Sequence, residues 1–221
     1  MKQLIIVGAG GFGRELLQWC KDVQSVKKEW DIAGFIDDNT KALDGYKCDH
    51  KIIGTISEWI PEEDQVFAIA IADPKIKEKL VKKLEDRGAE FISVIHPDAR
   101  VGDFNILGKG IVLYPNARIT VNTTIGNFVT ILDNTSVGHD AVIGDFTTIS
   151  ASCGINGHVQ VGKSSYFGCN ASTIPGIKIG KECHIGIGSV VVNNIKNGMH
   201  VFGNPAKRIA LPKINKNEGD K

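Results

Sequence analysis

His139 and Asp140 adjoin in the string Val137-Gly138-His139-Asp140-Ala141-Val142-Ile143-Gly144. An imidazole suits proton transfer near neutral pH, and a neighbouring carboxylate can orient it or steady a nucleophile. Most exposed histidines are inert, so the meaning of this one depends on what the fold sets against it. Eighteen residues further on stands Gly157, whose backbone N–H has no side chain to shield it. A base for a nucleophile beside a donor for an oxyanion is the pairing that acyl transfer needs. The same step leads to Pro175, next to Gly176, and then to Asn193, a row of small or rigid residues.

The step of eighteen comes from a six-residue period that runs from Ile95 to Val191 through Val101, Leu107, Leu113, Ile119, Ile125, Ile131, Val137, Ile143, Ile149, Ile155, Val161, Phe167, Thr173, Ile179 and Ile185. Only Thr173 is not apolar. This is neither the 3.6 period of a helix nor the simple alternation of a strand. It fits a short strand and a turn repeated around a triangular prism, with the periodic residue inward. A glycine follows nine of these positions, which predicts a turn conformation there that a Cβ would oppose. Four residues after each periodic position the side chain is mostly small, as at Ala117, Thr135, Ala141, Cys153 and Ala171, which predicts a second inward slot. Three hexads close one coil, so residue n stacks on residue n+18 about 4.8 Å away. The repeat predicts between five and six coils, with His139 on an exposed corner and Gly157 on the same corner one coil along.

Residues 1–94 lack the period and read as alternating strands and helices, a small parallel α/β sheet. Strands are expected at 4–7, 32–36, 66–72 and 91–95, and helices at about 12–22 and 74–87. The turn Gly8-Ala9-Gly10-Gly11-Phe12-Gly13 matches GxGxxG between a strand and a helix, where backbone N–H groups can meet phosphate oxygens. Asp37-Asp38 closes the second strand, a place from which ribose hydroxyls are read. Arg14 can add charge to a pyrophosphate. A dinucleotide dehydrogenase is disfavoured, because about ninety residues supply half of that fold and no hydride-transfer domain follows.

Length and charge bound the rest. The chain has 221 residues and a formal net charge of +1, which suggests neither a nucleic-acid footprint nor a membrane-binding patch. No apolar run approaches the roughly 20 residues of a membrane span, and the start lacks a signal-peptide shape, so a cytoplasmic protein is expected. Five cysteines without CxxC spacing read as reduced thiols. A zinc site built on histidines five apart is disfavoured because residue 144 is glycine, and His158 and His184 read as surface or interface residues.

The hexad pattern resembles the left-handed parallel β-helix of hexapeptide-repeat acyltransferases, and the handedness is implied by that resemblance alone. With the short Rossmann-like half domain in front of it, nearly the whole chain resembles the NeuD/PglD-type bacterial sugar acyltransferases. The implied organisation is a nucleotide-sugar-binding domain at 1–94, a β-helix acyltransferase domain at 95–195, and a carboxy-terminal cap and tail at 196–221. The string around His139 is similar to the family segment that carries the general base, and Gly157 matches the glycine whose N–H meets the oxyanion.

The resemblance further implies that Gly10, Gly11, Arg14, Asp37 and Asp38 bind the nucleotide-linked sugar. It also implies that coenzyme A lies along Gly157, Pro175, Gly176 and Asn193. Gly203-Asn204-Pro205-Ala206-Lys207-Arg208 resembles the family segment beside the coenzyme nucleotide, so Gly203, Pro205, Ala206 and Lys207 join that group; a cap over the open coil is the other reading. Two positions depart from the family pattern. Leu132 stands where many members carry a sugar-contacting asparagine, with Asn134 nearby as the substitute, and Thr148 replaces a second histidine. The implied activity is acetyl transfer from acetyl-CoA, without a metal, to the amine of a nucleotide-linked sugar for bacterial surface glycans. A 4-amino-4,6-dideoxy sugar is favoured and a homotrimer is expected. The two departures leave open O-acetylation of a sialic-acid-type hydroxyl; a non-catalytic nucleotide-sugar scaffold is the third reading.

Overall fold

The computed structural model describes residues 1–209. Four parallel strands form the first sheet: β1 (Lys2–Val7), β2 (Trp30–Ile36), β3 (Ile52–Gly54) and β4 (Gln65–Ile69), in the order β3-β2-β1-β4. Their apolar runs are buried on both faces, as a parallel layer between helices requires. Helix α1 (Gly11–Val26) follows β1 and α2 (Pro74–Glu85) follows β4. The short β3 was not expected from the sequence, because its three residues carry no period. The expected strand over 91–95 shrinks to Val94–Ile95, with Phe91 making one isolated bridge to Phe67.

From Val94 on, two-residue rungs wind into three parallel sheets. Residues eighteen apart pair, as in Thr130 with Thr148, Val137 with Ile155, and Ile143 with Val161. The first face runs from Val94–Ile95 to His200–Phe202, the second from Arg100–Val101 to Val190–Val191, and the third from Ile106–Leu107 to Lys178–Ile179. The periodic residues form one core with the small residues four positions on. Ile95 and Val101 are the exceptions, 37% and 38% exposed, because the first coil has no coil above it. Thr123, Thr135, Thr147 and Ser165 occupy the small slot and donate their hydroxyls to backbone carbonyls fifteen residues on, so these buried polar groups are satisfied.

The glycines beside the periodic residues correct one expectation. The left-handed backbone falls two positions later, at Asn122, Asp140, His158 and their equivalents. The glycines are needed because the next coil passes close by: a Cβ on Gly138 would sit 2.6 Å from the Gly157 nitrogen, and one on Gly144 2.5 Å from the Lys163 nitrogen. The stack also changes pitch after Val191, where Ile179 pairs with Ile195 and His184 with His200, a step of sixteen.

The amino-terminal layer lies on the first face. Phe12 and Trp19 of α1 pack on Tyr114, and Val112 and Tyr114 join the core of the α/β layer. Leu132 packs there too, so this departure from the family pattern serves the contact between the two layers. Helix α2 runs along the prism axis like a splint: Glu85 pairs with Lys109 near one end, Glu78 with Lys163 and Ser164 further along, and Lys75 with Glu182 near the other. Between these rim contacts Lys77 is fully buried, its Nζ donating to Thr130 at 3.0 Å and Thr148 at 2.9 Å. Thr148 therefore receives a lysine from α2.

Candidate active site

The corner between the second and third faces carries His139 because Val137 ends a rung inward and the turn carries the next two side chains outward. Asp140 has φ 58°, a left-handed conformation that aspartate tolerates, and its N–H bonds to the Val121 carbonyl at 3.1 Å. That backbone turns its carboxylate back on the preceding ring, with Oδ2 2.7 Å from His139 Nδ1. An ionised carboxylate only accepts, so Nδ1 carries a proton, and in the neutral ring the lone pair is on Nε2.

Gly157 lies under that ring. A Cβ there would sit 2.6 Å from His139 Nε2 and 2.7 Å from Cε1, so only glycine lets the imidazole lie over this stretch of backbone. The Gly157 carbonyl accepts from Gly176 at 2.9 Å, while its N–H has no hydrogen-bond partner among the described residues. Ring and unpaired donor stand together, with Gly157 itself buried beneath the imidazole, and Pro175 and Gly176 continue the corner as exposed residues. Asn193 does not extend the row in simple register, since the shortened coil begins beside it.

His158, expected from the sequence at the surface or an interface, is exposed and joins this cluster. Its ring meets His139 edge-on with centroids 5.0 Å apart, and its Nε2 is 3.8 Å from Asp140 Oδ2. The signal was present: 158 is 140 plus 18, so the stacking rule brings it to Asp140. His139, Asp140 and His158 offer three ligand atoms within 4.8 Å of one another, a spacing that can hold a cation, but all three residues are exposed. Asn134 sits on the preceding corner, one face away from His139, and donates to Asp133 at 3.0 Å.

The glycine turn lies at the carboxyl edge of the small sheet. Gly10 caps α1 without a side-chain bond, and no hydrogen bond among the described residues engages the N–H of Gly10, Gly11 or Phe12. The contrast with α2 is informative, since there Asp73 accepts from both Lys75 and Ile76. An uncapped helix start after a glycine turn is open to an anion. Asp37 buttresses the turn, Oδ2 accepting from Ala9 at 2.7 Å and Oδ1 from Asn39 at 2.8 Å. Asp38 accepts from the Ser57 N–H at 2.7 Å. Both carboxylates therefore hold backbone, with lone pairs left over for a ligand. The Arg14 guanidinium lies 3.6 Å over the Tyr46 ring, on the wall of a cleft that Lys21 and Lys47 also line.

Gly203 and Ala206 close the lower end of the prism. The Gly203 carbonyl accepts from Val190, the Ala206 N–H donates to the Val190 carbonyl, and Ala206 packs on the core. Lys207 and Arg208, both exposed, leave this cap in a short hairpin with His200–Phe202. The polar tail after Ile209 lies outside the described residues. The five cysteines are free; burial pushes the Cys20 thiol up strongly and the Cys153 thiol up to about 11, so both are inert as nucleophiles.

Residues 3–84 match the PglD N-terminal domain and residues 122–157 match the bacterial transferase hexapeptide family. The UDP-N-acetylbacillosamine N-acetyltransferase of Bacillus subtilis is 29% identical over 117 residues, which is 51% of each chain. The chain thus spans about half the length of that curated relative. The acetyltransferase domain of PglB from Neisseria gonorrhoeae superposes with a TM-score of 0.86 at 26% identity, over 95% of this chain and 100% of that one. The same domain has been solved with acetyl coenzyme A. WeeI from Acinetobacter baumannii superposes with a TM-score of 0.85 at 29% identity, again over 95% and 100% of the two chains.

Proposed function

The chain belongs to the PglD/NeuD-type hexapeptide acyltransferases, and from that premise we propose that it transfers acetyl from acetyl-CoA to the amine of a nucleotide-linked amino sugar. The observation that carries this reading is the stack of Asp140, His139 and Gly157, with one imidazole nitrogen held by a carboxylate and the other free beside an open N–H. The amine nitrogen attacks the thioester carbonyl while Nε2 of His139 takes its proton. The new C–N bond forms as the carbonyl oxygen becomes an oxyanion, which the Gly157 N–H stabilises. Collapse breaks the C–S bond, and the imidazolium returns the proton to the departing thiolate. The reaction needs no metal in this scheme. Gly10, Gly11 and Arg14 take the diphosphate, and Asp37 and Asp38 face the nucleoside. The pantetheine arm follows Pro175 and Gly176 towards Asn193, and the Gly203–Lys207 cap meets the coenzyme nucleotide.

A homotrimer is part of the proposal. The sugar-binding layer covers the first face, whereas His139 stands on the edge opposite that face, so the two halves of one chain are separated by the prism. A neighbouring copy resolves this by bringing its own His139 edge to the uncovered part of the first face. Around His139 that edge is apolar and exposed: Phe104 (83%), Ile106 (67%), Val121 and Val142 suit burial against a second copy. No described helix is long and apolar enough to cross a membrane; acetyl-CoA as donor supports action in the cytoplasm. The test is an assay with acetyl-CoA, free-thiol detection, and UDP-, dTDP- and GDP-linked amino sugars beside hydroxyl acceptors. Thiol release dependent on an amino sugar supports the proposal, and release only with hydroxyl acceptors overturns it.

A further inference from the structure

Thr173 is the one polar residue among the periodic positions, and it is buried, 3% exposed. A hydroxyl in an apolar column costs free energy unless it is bonded, and a valine in the same place would need no partner. The partner is Asn156, one coil up. Thr173 Oγ1 accepts from the Asn156 N–H at 3.0 Å, and the Asn156 carboxamide donates to the Thr173 carbonyl.

These two bonds replace a rung of the backbone ladder. From His96 to Ile174 the residue after each periodic position donates its N–H to the carbonyl seventeen positions on, as Gly138 does to Ile155 at 2.7 Å and Ile174 to Val191 at 3.0 Å. Among the described residues of that run Asn156 alone departs from the rule. Its N–H takes the threonine hydroxyl instead, and its side chain takes the carbonyl that the N–H would have used. The strand pairing shows the same break: Gly154 pairs with Ser172 without a pair between Ile155 and Thr173, whereas the rungs above and below it on this face pair at both residues.

The break lies directly before Gly157, since the peptide that carries the Gly157 N–H begins at the Asn156 carbonyl. On the corner after the third face, N–H groups at the matching position are closed by a side chain of the next coil. Lys109 donates to Asn127 Oδ1 at 3.0 Å, Asn127 to Asp145 Oδ1 at 2.7 Å, and Lys181 to Asn197 Oδ1 at 3.0 Å. Eighteen residues after Gly157 stands Pro175, whose side chain has no acceptor. The Gly157 N–H is thus left open while its surroundings are tied, upstream through Asn156 to Thr173 and downstream through the Gly157 carbonyl to the Gly176 N–H.

We propose that Thr173, acting through Asn156, is a positioning residue that sets the Gly157 N–H for the oxyanion. This rests on the proposed function above. Thr173 is too buried to meet a substrate, so its influence on turnover passes through the peptide it holds. With valine at 173 the Asn156 N–H falls back on the ladder carbonyl, as on every other rung, and the peptide that follows turns with it. A donor to developing charge acts through distance and angle, so such a turn weakens it without removing it.

The experiment is steady-state kinetics with acetyl-CoA and the preferred amino sugar on the wild type, Thr173→Val, Thr173→Ser, Asn156→Ala and the Thr173→Val/Asn156→Ala double variant, with a crystal structure of Thr173→Val. In Thr173→Val kcat falls about 10–100-fold, while the KM for each substrate, the shape of the pH profile and the melting curve are kept. Thr173→Ser keeps the hydroxyl and the wild-type kcat. The double variant loses no more than the worse of the two single ones, because the pair acts as a unit. In the crystal the Asn156 N–H bonds to the carbonyl of residue 173. The inference is overturned if Thr173→Val turns over like the wild type, if Thr173→Ser loses as much as Thr173→Val, if the two single losses add, or if the Gly157 nitrogen is unmoved in the crystal. A wild type that releases no thiol with any amino sugar refutes the acetyltransferase reading instead, and the crystal structure then decides whether Thr173 holds the peptide.

Discussion

Three contributions at the proposed catalytic corner can be separated by substitution. Removing the base in His139→Ala lowers turnover about 10²–10⁴-fold, and single-turnover acetylation checks it. Asp140→Asn keeps the shape but exchanges a charge-assisted hydrogen bond for a weaker one, at a cost of roughly 1.5–3 kcal/mol, or about 10–100-fold in rate. Its effect falls on kcat, because the bond orients the base and does not hold substrate. Gly157→Ala is the sharper probe. Its Cβ would lie 2.6 Å from Nε2, so the ring must swing away from the donor although no charge or hydrogen bond is deleted. Turnover then falls about 10²-fold or more while the melting curve stays put. A wild-type rate in Gly157→Ala would sever the proposed link between ring and backbone.

At the scale of elements, α2 and the first face of the prism share a titratable joint. Desolvation lowers the Lys77 pKa from the ordinary 10.5 to about 7, partly offset by Asp73, and among the described residues its only side-chain hydrogen-bond partners are two threonine hydroxyls. The unfolded chain therefore binds a proton that the folded chain does not hold between about pH 7 and 10.5. Over that window unfolding free energy rises with pH by at most about 1.4 kcal/mol per unit, and it levels off below the lower value. Lys77→Met removes this slope, which denaturant midpoints measured across the window would show; an unchanged slope would mean the ammonium is solvated. This joint was not legible in the sequence, because a lysine on an amphipathic helix reads as solvated until the helix is laid on its partner. The prism was legible since a six-residue period admits few solutions, and n+18 stacking brought His139 and Gly157 together on paper. The same rule joins Asp140 to His158, yet the sequence reading applied it only to the candidate base. The role of the repeat glycines was misjudged for a related reason: close approach between coils is a tertiary fact that local turn preference does not contain.

For the whole molecule, the question is why one chain places its proposed phosphate-binding turn and its proposed base on opposite sides of a prism. The proposed closed ring of three copies would turn that separation into an arrangement in which each site takes its turn from one chain and its base from the next. Complementation tests this directly. Gly11→Glu puts a carboxylate at the open start of α1, where no neighbouring atom lies closer than Arg14 at 4.0 Å, so the fold is kept and anion binding is lost. Alone, Gly11→Glu and His139→Ala are both inactive. Dissociated and reassembled together at equal amounts, they pair an intact turn with an intact base at about a quarter of all sites, and activity returns to about a quarter of the wild-type rate. Sites contained within one chain would give none, because every chain in the mixture carries a defect. The apolar surface formed by Phe104, Ile106, Val121 and Val142 supplies the control. Phe104→Glu with Val142→Glu charges the edge that a neighbour must cover, so the mixed protein sediments as a smaller species and the recovered activity disappears with the assembly.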